Sequence, residues 1–166
     1  MRPAIQLAAL LLTALLLTAC GFHLRGHAGM PFSTLYLDAS NPGSPFIDDL
    51  RRNLQSNKVK LVNSADQADV VLNIVYEISD KQILTLGGSG RVNEFRLSYR
   101  VSLRAYDLKQ QDWITDEEIA LRRDYSFDDS KILAKEAEEA LLYQSMRSDM
   151  VQQIVRRLSS ATPQTK

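Results

Sequence analysis

Residues 95–105, Phe95-Arg96-Leu97-Ser98-Tyr99-Arg100-Val101-Ser102-Leu103-Arg104-Ala105, decide how this chain folds. The odd positions are apolar or aromatic throughout, and the even positions are arginine or serine. Successive strand side chains point to opposite faces, so period-two alternation over eleven residues predicts a strand in a sheet with one buried and one polar face. Arg96, Arg100 and Arg104 then share the polar face at intervals of about 13 Å. Upstream, Gly87-Gly88-Ser89-Gly90 reads as the loop of a hairpin, and Val70 to Ile78 as its first strand, with Val70, Leu72, Ile74, Tyr76 and Ile78 on one face. Downstream, Asp107 to Asp112 is a polar connector and Trp113 to Tyr125 a further strand, interrupted by Asp116, Glu117 and Glu118. Both connections are short enough for antiparallel pairing.

Further out, Thr34 to Asp38 is a short strand candidate, followed by turn chemistry at Asn41-Pro42-Gly43. Ser44 before Pro45 reads as an N-cap with proline in the first turn, where its missing N–H costs nothing. Phe46, Ile47, Leu50 and Leu54 give the buried stripe of a helix ending near Asn57. Asp128-Asp129-Ser130 opens a long helix to about Leu158, with Tyr143, Met146, Met150, Ile154 and Leu158 on its buried side. The acidic start suits the positive end of the helix dipole. The predicted fold class is α+β: a four-stranded mixed sheet in β-α-β-β-β-α order with two helices packed on one face. No internal repeat is visible.

The N-terminus carries a positive Arg2, an apolar run from Ala4 to Leu17 broken by Gln6 and Thr13, and small residues before a processing site. The run is about 14 residues, too short for the roughly 20 that cross a bilayer, and fits an export signal. Leu17-Thr18-Ala19-Cys20 resembles the bacterial lipobox. That resemblance implies cleavage before Cys20, diacylglycerol on its sulfur and N-acylation, as by palmitate, of the freed amine. Gly21 in place of an aspartate favours the outer membrane. Cys20 is the only cysteine, so the core must hold without disulfides. The expected organisation is a signal peptide over 1–19, a Gly-rich lipidated tether over 20–33, one domain over 34–158 and a frayed tail over 159–166. No core residue is expected before Thr34. Cleavage leaves 147 residues and removes Arg2, so 19 basic residues face 20 acidic ones. That balance argues against nucleic-acid binding.

Few residues invite chemistry. His23 and His27 stand four apart, but in a Gly-rich tether without carboxylate or thiol partners, so no metal site is expected. The glycine-rich loop at 87–90 lacks the Gly-Lys-Ser/Thr ending and strand-to-helix setting of a phosphate loop. Nucleophilic catalysis needs a base beside the nucleophile, and the two histidines both lie in the tether. Asp116, Glu117 and Glu118 are adjacent strand residues that cannot all share a face. No enzymatic site and no cofactor is therefore expected. The arginine face admits two readings: a solvated surface paired with acidic residues such as Glu117 and Glu118, or a basic surface for phosphates or a partner protein.

After the lipobox comes Gly21-Phe22-His23-Leu24-Arg25-Gly26. This opening resembles the lipopolysaccharide-assembly lipoprotein family, LptE. Leu37-Asp38 at the end of the first strand, Asn53-Leu54 late in the first helix and Leu133-Ala134-Lys135-Glu136-Ala137-Glu138 opening the last helix follow the same pattern. The resemblance implies a non-enzymatic outer-membrane lipoprotein inside the lumen of the LptD β-barrel. There it would plug the barrel, support its assembly and bind lipopolysaccharide in transit to the cell surface. It implies ligand contact at Lys135 and at a basic position in the central hairpin loop, where this chain offers Arg91. The competing readings are a free-standing lipid-anchored protein that binds a glycolipid or peptide, and a periplasmic hydrolase.

Overall fold

The computed structural model describes residues 29–88 and 90–164. The export signal, Cys20, His23 and His27 lie outside the described residues. The alternating stretch forms the middle strand of the largest part of the sheet. β3 (Val70–Leu86), β4 (Val92–Tyr106) and β5 (Asp112–Ser126) make an antiparallel meander. Leu97, Val101, Leu103 and Ala105 are fully buried on one face, as their alternation requires. β1 (Thr34–Ala39) runs parallel to β3 on its other side. α1 (Pro45–Ser56) follows β1, and α2 (Ile132–Ser160) closes the chain. Both helices pack over the buried face, where Phe46, Leu50, Leu54, Met146, Met150, Ile154 and Leu158 meet the strands.

The sheet has five strands rather than four. The fifth, β2 (Lys60–Val62), pairs parallel with β1 at the edge, giving the order β2-β1-β3-β4-β5. Three residues are too few to display a period, so no alternation marks them. The segment is placed by Lys58, whose positive φ of 65° turns the chain out of α1, and by Val59, which is buried in the core.

A second departure lies within β3. The pairing with β4 slips between Ile74 and Tyr76, leaving Val75 as an extra residue. A one-residue slip sends every following side chain to the opposite face. Val70, Leu72 and Ile74 are buried as expected. Tyr76 instead joins the outer face, where its hydroxyl donates to Glu118, and Ile78 pairs with outward-facing Arg100. Glu77 comes inward opposite Val101 and accepts from the Ser44 hydroxyl at 2.7 Å and from the Tyr99 hydroxyl. Ser44 in turn accepts from the Ile47 N–H at 3.2 Å, so the cap of α1 is tied to the sheet. Burial and the Glu77 bond push the Tyr99 phenol well above its ordinary value.

The ends of the domain also differ from expectation. Phe32 is buried and packs edge-on against Trp113 with ring centroids 5.7 Å apart, so the core reaches back before Thr34. At the other terminus α2 continues to Ser160, Ala161 is buried, and the Gln164 N–H donates to the Asp112 carbonyl at 2.8 Å. Chain up to 164 is thus docked where fraying was expected.

Candidate functional site

The long meander extends β3 and β4 well past the point where α1 covers them, and α2 begins over this distal end. Its entry is set by Asp128, whose carboxylate accepts from the N–H and hydroxyl of Ser130 at 3.0 and 2.7 Å. Those bonds hold its carboxyl below the usual range. A single 3-10 turn, Asp129–Lys131, intervenes before α2 starts at Ile132. The helix therefore begins a few residues later than the acidic run alone suggests.

Lys135 lies in the opening turns of α2. Its Nζ donates to Glu138 at 2.8 Å and to the Ser126 hydroxyl at 3.2 Å, the latter at the end of β5. Arg91 sits in the β3–β4 turn, where its carbonyl accepts from Gly87 N–H at 2.7 Å and its side chain is exposed. Gly90 takes φ +77° in this turn, a conformation that favours glycine. Lys135 and Arg91 thus both belong to the distal end. Arg91 makes no ion pair among the described residues.

On the side of Lys135 away from the hairpin tip lies a cluster that sequence reasoning missed. Lys81, from β3, places its ammonium 4.2 Å from the Phe95 ring centroid and bonds to Glu139 of α2. Glu139 also accepts from the Tyr125 hydroxyl at 2.6 Å. Phe95 stacks on Tyr125 and meets Phe127 edge-on, at 5.8 and 5.1 Å between centroids. Burial alone would push the Glu139 carboxyl up, but the bonds from Lys81 and Tyr125 outweigh it and hold the carboxyl down. Burial likewise works against the Lys81 ammonium, and Glu139 with Tyr125 more than restores it. The cluster clamps the first half of α2 onto the hairpin. No spacing within one element signals it, since Lys81, Phe95, Tyr125 and Glu139 are brought together by strand register and by the docking of α2.

The uncovered face of the sheet carries the arginine row. Arg96 forms a bidentate pair with Asp124, both contacts at 2.8 Å. Arg100 lies 3.6 Å from Glu118, and Arg104 2.8 Å from Asp112. Each partner comes from β5, so the row is a charge-paired surface rather than a free basic patch. Glu117 points the other way and pairs with Arg157 of α2. The pair with Arg96 keeps the Asp124 carboxyl below its usual range. Exposed pairs of this kind contribute about 0–1 kcal/mol each; their larger effect is to leave the face polar and locally neutral. Among the described residues no group of three histidine, cysteine, aspartate or glutamate side chains could hold a metal ion. No described helix is long and apolar enough to cross a membrane.

A two-layer α+β domain with one open, charge-paired sheet face and a hairpin projecting under a long helix defines a class, the small lipoproteins of this architecture. The solution structure of lipoprotein B from Nitrosomonas europaea superposes with a TM-score of 0.73 at 41% identity, covering 84% of this chain and 91% of that one. The rare lipoprotein B of Shewanella oneidensis gives 0.69 at 28% identity, over 77% and 95%. The family described as "LptE: Lipopolysaccharide-assembly" matches residues 32–158, and this chain belongs to it. The LPS-assembly lipoprotein LptE of Pectobacterium atrosepticum is 32% identical over 149 residues, 87% of this chain and 80% of the relative. Its counterpart in Yersinia pestis is 31% identical over 161 residues, 95% and 77% respectively.

Proposed function

We propose that this chain is the lipoprotein partner of an LptD-type outer-membrane β-barrel, anchored by acylated Cys20 at the periplasmic side. In this reading it occupies and plugs the barrel lumen, supports barrel assembly, and binds lipopolysaccharide on its way to the cell surface. It acts without catalysis. The observation that carries the reading is membership of the lipopolysaccharide-assembly family across residues 32–158. Two features of the molecule support it. The arginine–carboxylate rows leave an open sheet face that is polar yet satisfied, a surface suited to a hydrated barrel wall. The distal end carries Lys135 and Arg91, and lipid A phosphates meet lysine as a point charge and arginine as a planar fork.

The test is affinity purification of the full-length tagged lipoprotein from its native membrane. A stoichiometric complex with a barrel of several hundred residues is the expected result. Recovery of the lipoprotein alone, still able to bind glycolipid, would favour a free-standing lipid-anchored carrier instead.

A further inference from the structure

The sheet ends on β5, whose outer side pairs with no strand among the described residues. One backbone bond from outside the meander reaches β5, from the Gln164 N–H to the Asp112 carbonyl at its very start. Pairing with β4 holds without a slip from Glu117 to Ser126 and shifts below Glu117. A regular, uncovered edge is a template for another strand, and proteins keep such edges blocked or filled. Proline and bulges, two of the usual blocks, are absent from 117–123.

The charges of that segment are ordered. Glu117-Glu118-Ile119-Ala120-Leu121-Arg122-Arg123 is anionic at one end, apolar in the middle and cationic at the other. Laid antiparallel on a copy of itself about Ala120, it is complementary at every position. Glu117 meets Arg123 of the second copy, Glu118 meets Arg122, and Ile119 meets Leu121. A two-fold axis repeats each contact, over about 23 Å of edge. Directly opposed residues share a face in antiparallel pairing, so few other registers keep the ladder. Centring on Ile119 leaves the paired charges without partners, and centring on Leu121 sets Glu118 against Asp124. Centring on Glu118 or Arg122 brings like charges face to face. About Ala120 the one like-signed pair, Asp116 against Asp124, falls beyond the slip, and Asp124 is already held by the Arg96 fork.

The surroundings fit the same arrangement. Ala120 lies exposed on the open face beside Arg100, small enough for close approach. Arg122 is exposed and makes no ion pair among the described residues. Glu118 has only the 3.6 Å contact with Arg100 besides the Tyr76 hydroxyl. On the helix side, Glu117 pairs with Arg157 and Arg123 with Asp149, the latter at 2.9 Å. The two-fold sets the first pair of one copy beside the second pair of the other, so α2 extends the alternation of sign.

We infer that the β5 edge from Glu117 to Arg123 is a self-recognition surface, where two copies of the lipoprotein join antiparallel about Ala120 into one continuous sheet. The inference is independent of the barrel reading and concerns the lipoprotein apart from that partner.

The experiment uses the full-length lipoprotein in its native membrane, carrying Ala120→Cys, Ser126→Cys or Lys60→Cys, oxidised with copper phenanthroline. Opposed Cα atoms of an antiparallel pair stand about 4.5–5.5 Å apart, within disulfide reach. Ala120→Cys should give a disulfide-linked homodimer, identified by the mass of the linked peptides. Ser126→Cys further along the strand, Lys60→Cys at the opposite edge of the sheet, and the wild type with Cys20 alone should not. No homodimer at position 120, equal yields at 120 and 60, or a disulfide to a different protein in its place would overturn the surface. Sedimentation of the purified full-length protein in detergent is the second measurement. Arg122→Glu sets Glu118 against a like charge and should raise the dimer Kd at least about fivefold. Adding Glu118→Arg restores opposite charges in exchanged order and should return the Kd to near the wild-type value. A wild type monomeric at every concentration, an unchanged Kd for Arg122→Glu, or a double variant that melts like the wild type yet dimerises no better than the single would each overturn the pairing. Should the double variant not fold, the single variant and the disulfide decide.

Discussion

Lys81 of β3 and Glu139 of α2 form an ion pair 58 positions apart in sequence, at 2.5 Å, with the Lys81 ammonium also resting over the Phe95 ring. Glu139→Gln or Lys81→Met should cost about 1–2 kcal/mol, combining a partly screened pair with a cation–π contact. The Glu139 carboxyl is held below its ordinary value, so its contribution is present above about pH 4.3 and is lost as pH falls through the lower folded value. Lys81 is held above its ordinary value, so its contribution is full below about pH 10.4 and lost as pH rises through the higher folded value. Thermal melts should show Glu139→Gln destabilised at pH 7 and approaching the wild type as the pH falls through the lowered carboxyl value. A difference between variant and wild type that stayed constant down through the acid range would contradict the assignment.

The two faces of β4 should respond oppositely to substitution. Val101→Asp places an unpaired charge among fully buried neighbours and should cost more than about 3 kcal/mol. Arg100→Ser removes an exposed pair at 3.6 Å and should cost about 0.5 kcal/mol or less. Denaturant midpoints for the two variants measure the difference directly.

Ser44 is buried and serves two partners, capping Ile47 and donating to Glu77. Ser44→Ala should therefore cost about 1–2 kcal/mol, at the upper end of N-cap losses. Ser44→Asp keeps an acceptor for the cap yet sets a carboxylate against Glu77, and should be the worse of the two. If calorimetry ranked aspartate above alanine, the Glu77 contact would not be the one that matters.

Anchoring is tested at the N-terminus. Cys20→Ser should abolish lipid attachment and normal signal processing, read by mass spectrometry of the mature protein. An unmodified cysteine at the wild-type N-terminus would refute the lipobox assignment.

Lys135 pairs with Glu138, a contact of about 0.2–0.5 kcal/mol on a helix surface. A phosphate brought to the same ammonium would gain about 1.5–3 kcal/mol. Lys135→Asp should thus lower lipopolysaccharide affinity by roughly 10- to 150-fold, with melting temperature and barrel association retained. Titration calorimetry on the folded variant measures it, and unchanged affinity would leave Lys135 as a surface lysine of the helix.

Local chemistry alone determined a good deal of this protein. The alternation of residues 95–105 gave β4 its buried and open faces, Ser44-Pro45 started α1, and the stripe from Met146 to Leu158 set the buried side of α2. Each is a pattern within one element, where a period or a cap residue carries the information. The lipobox-like string Leu17-Thr18-Ala19-Cys20 and the family pattern are likewise local. Tertiary structure decided what depends on register and on distant partners. The slip at Val75 turned Glu77 inward and Tyr76 outward, because a strand's phase after a bulge is fixed by its neighbour and not by its own composition. β2 exists because β1 offers a free edge to three residues with no signal of their own. The pairing of Arg96, Arg100 and Arg104 with Asp124, Glu118 and Asp112 required the β4–β5 register. The Lys81–Glu139 clamp needed the hairpin and helix to meet, a contact between residues separated by tens of positions in the chain and by one side chain in space.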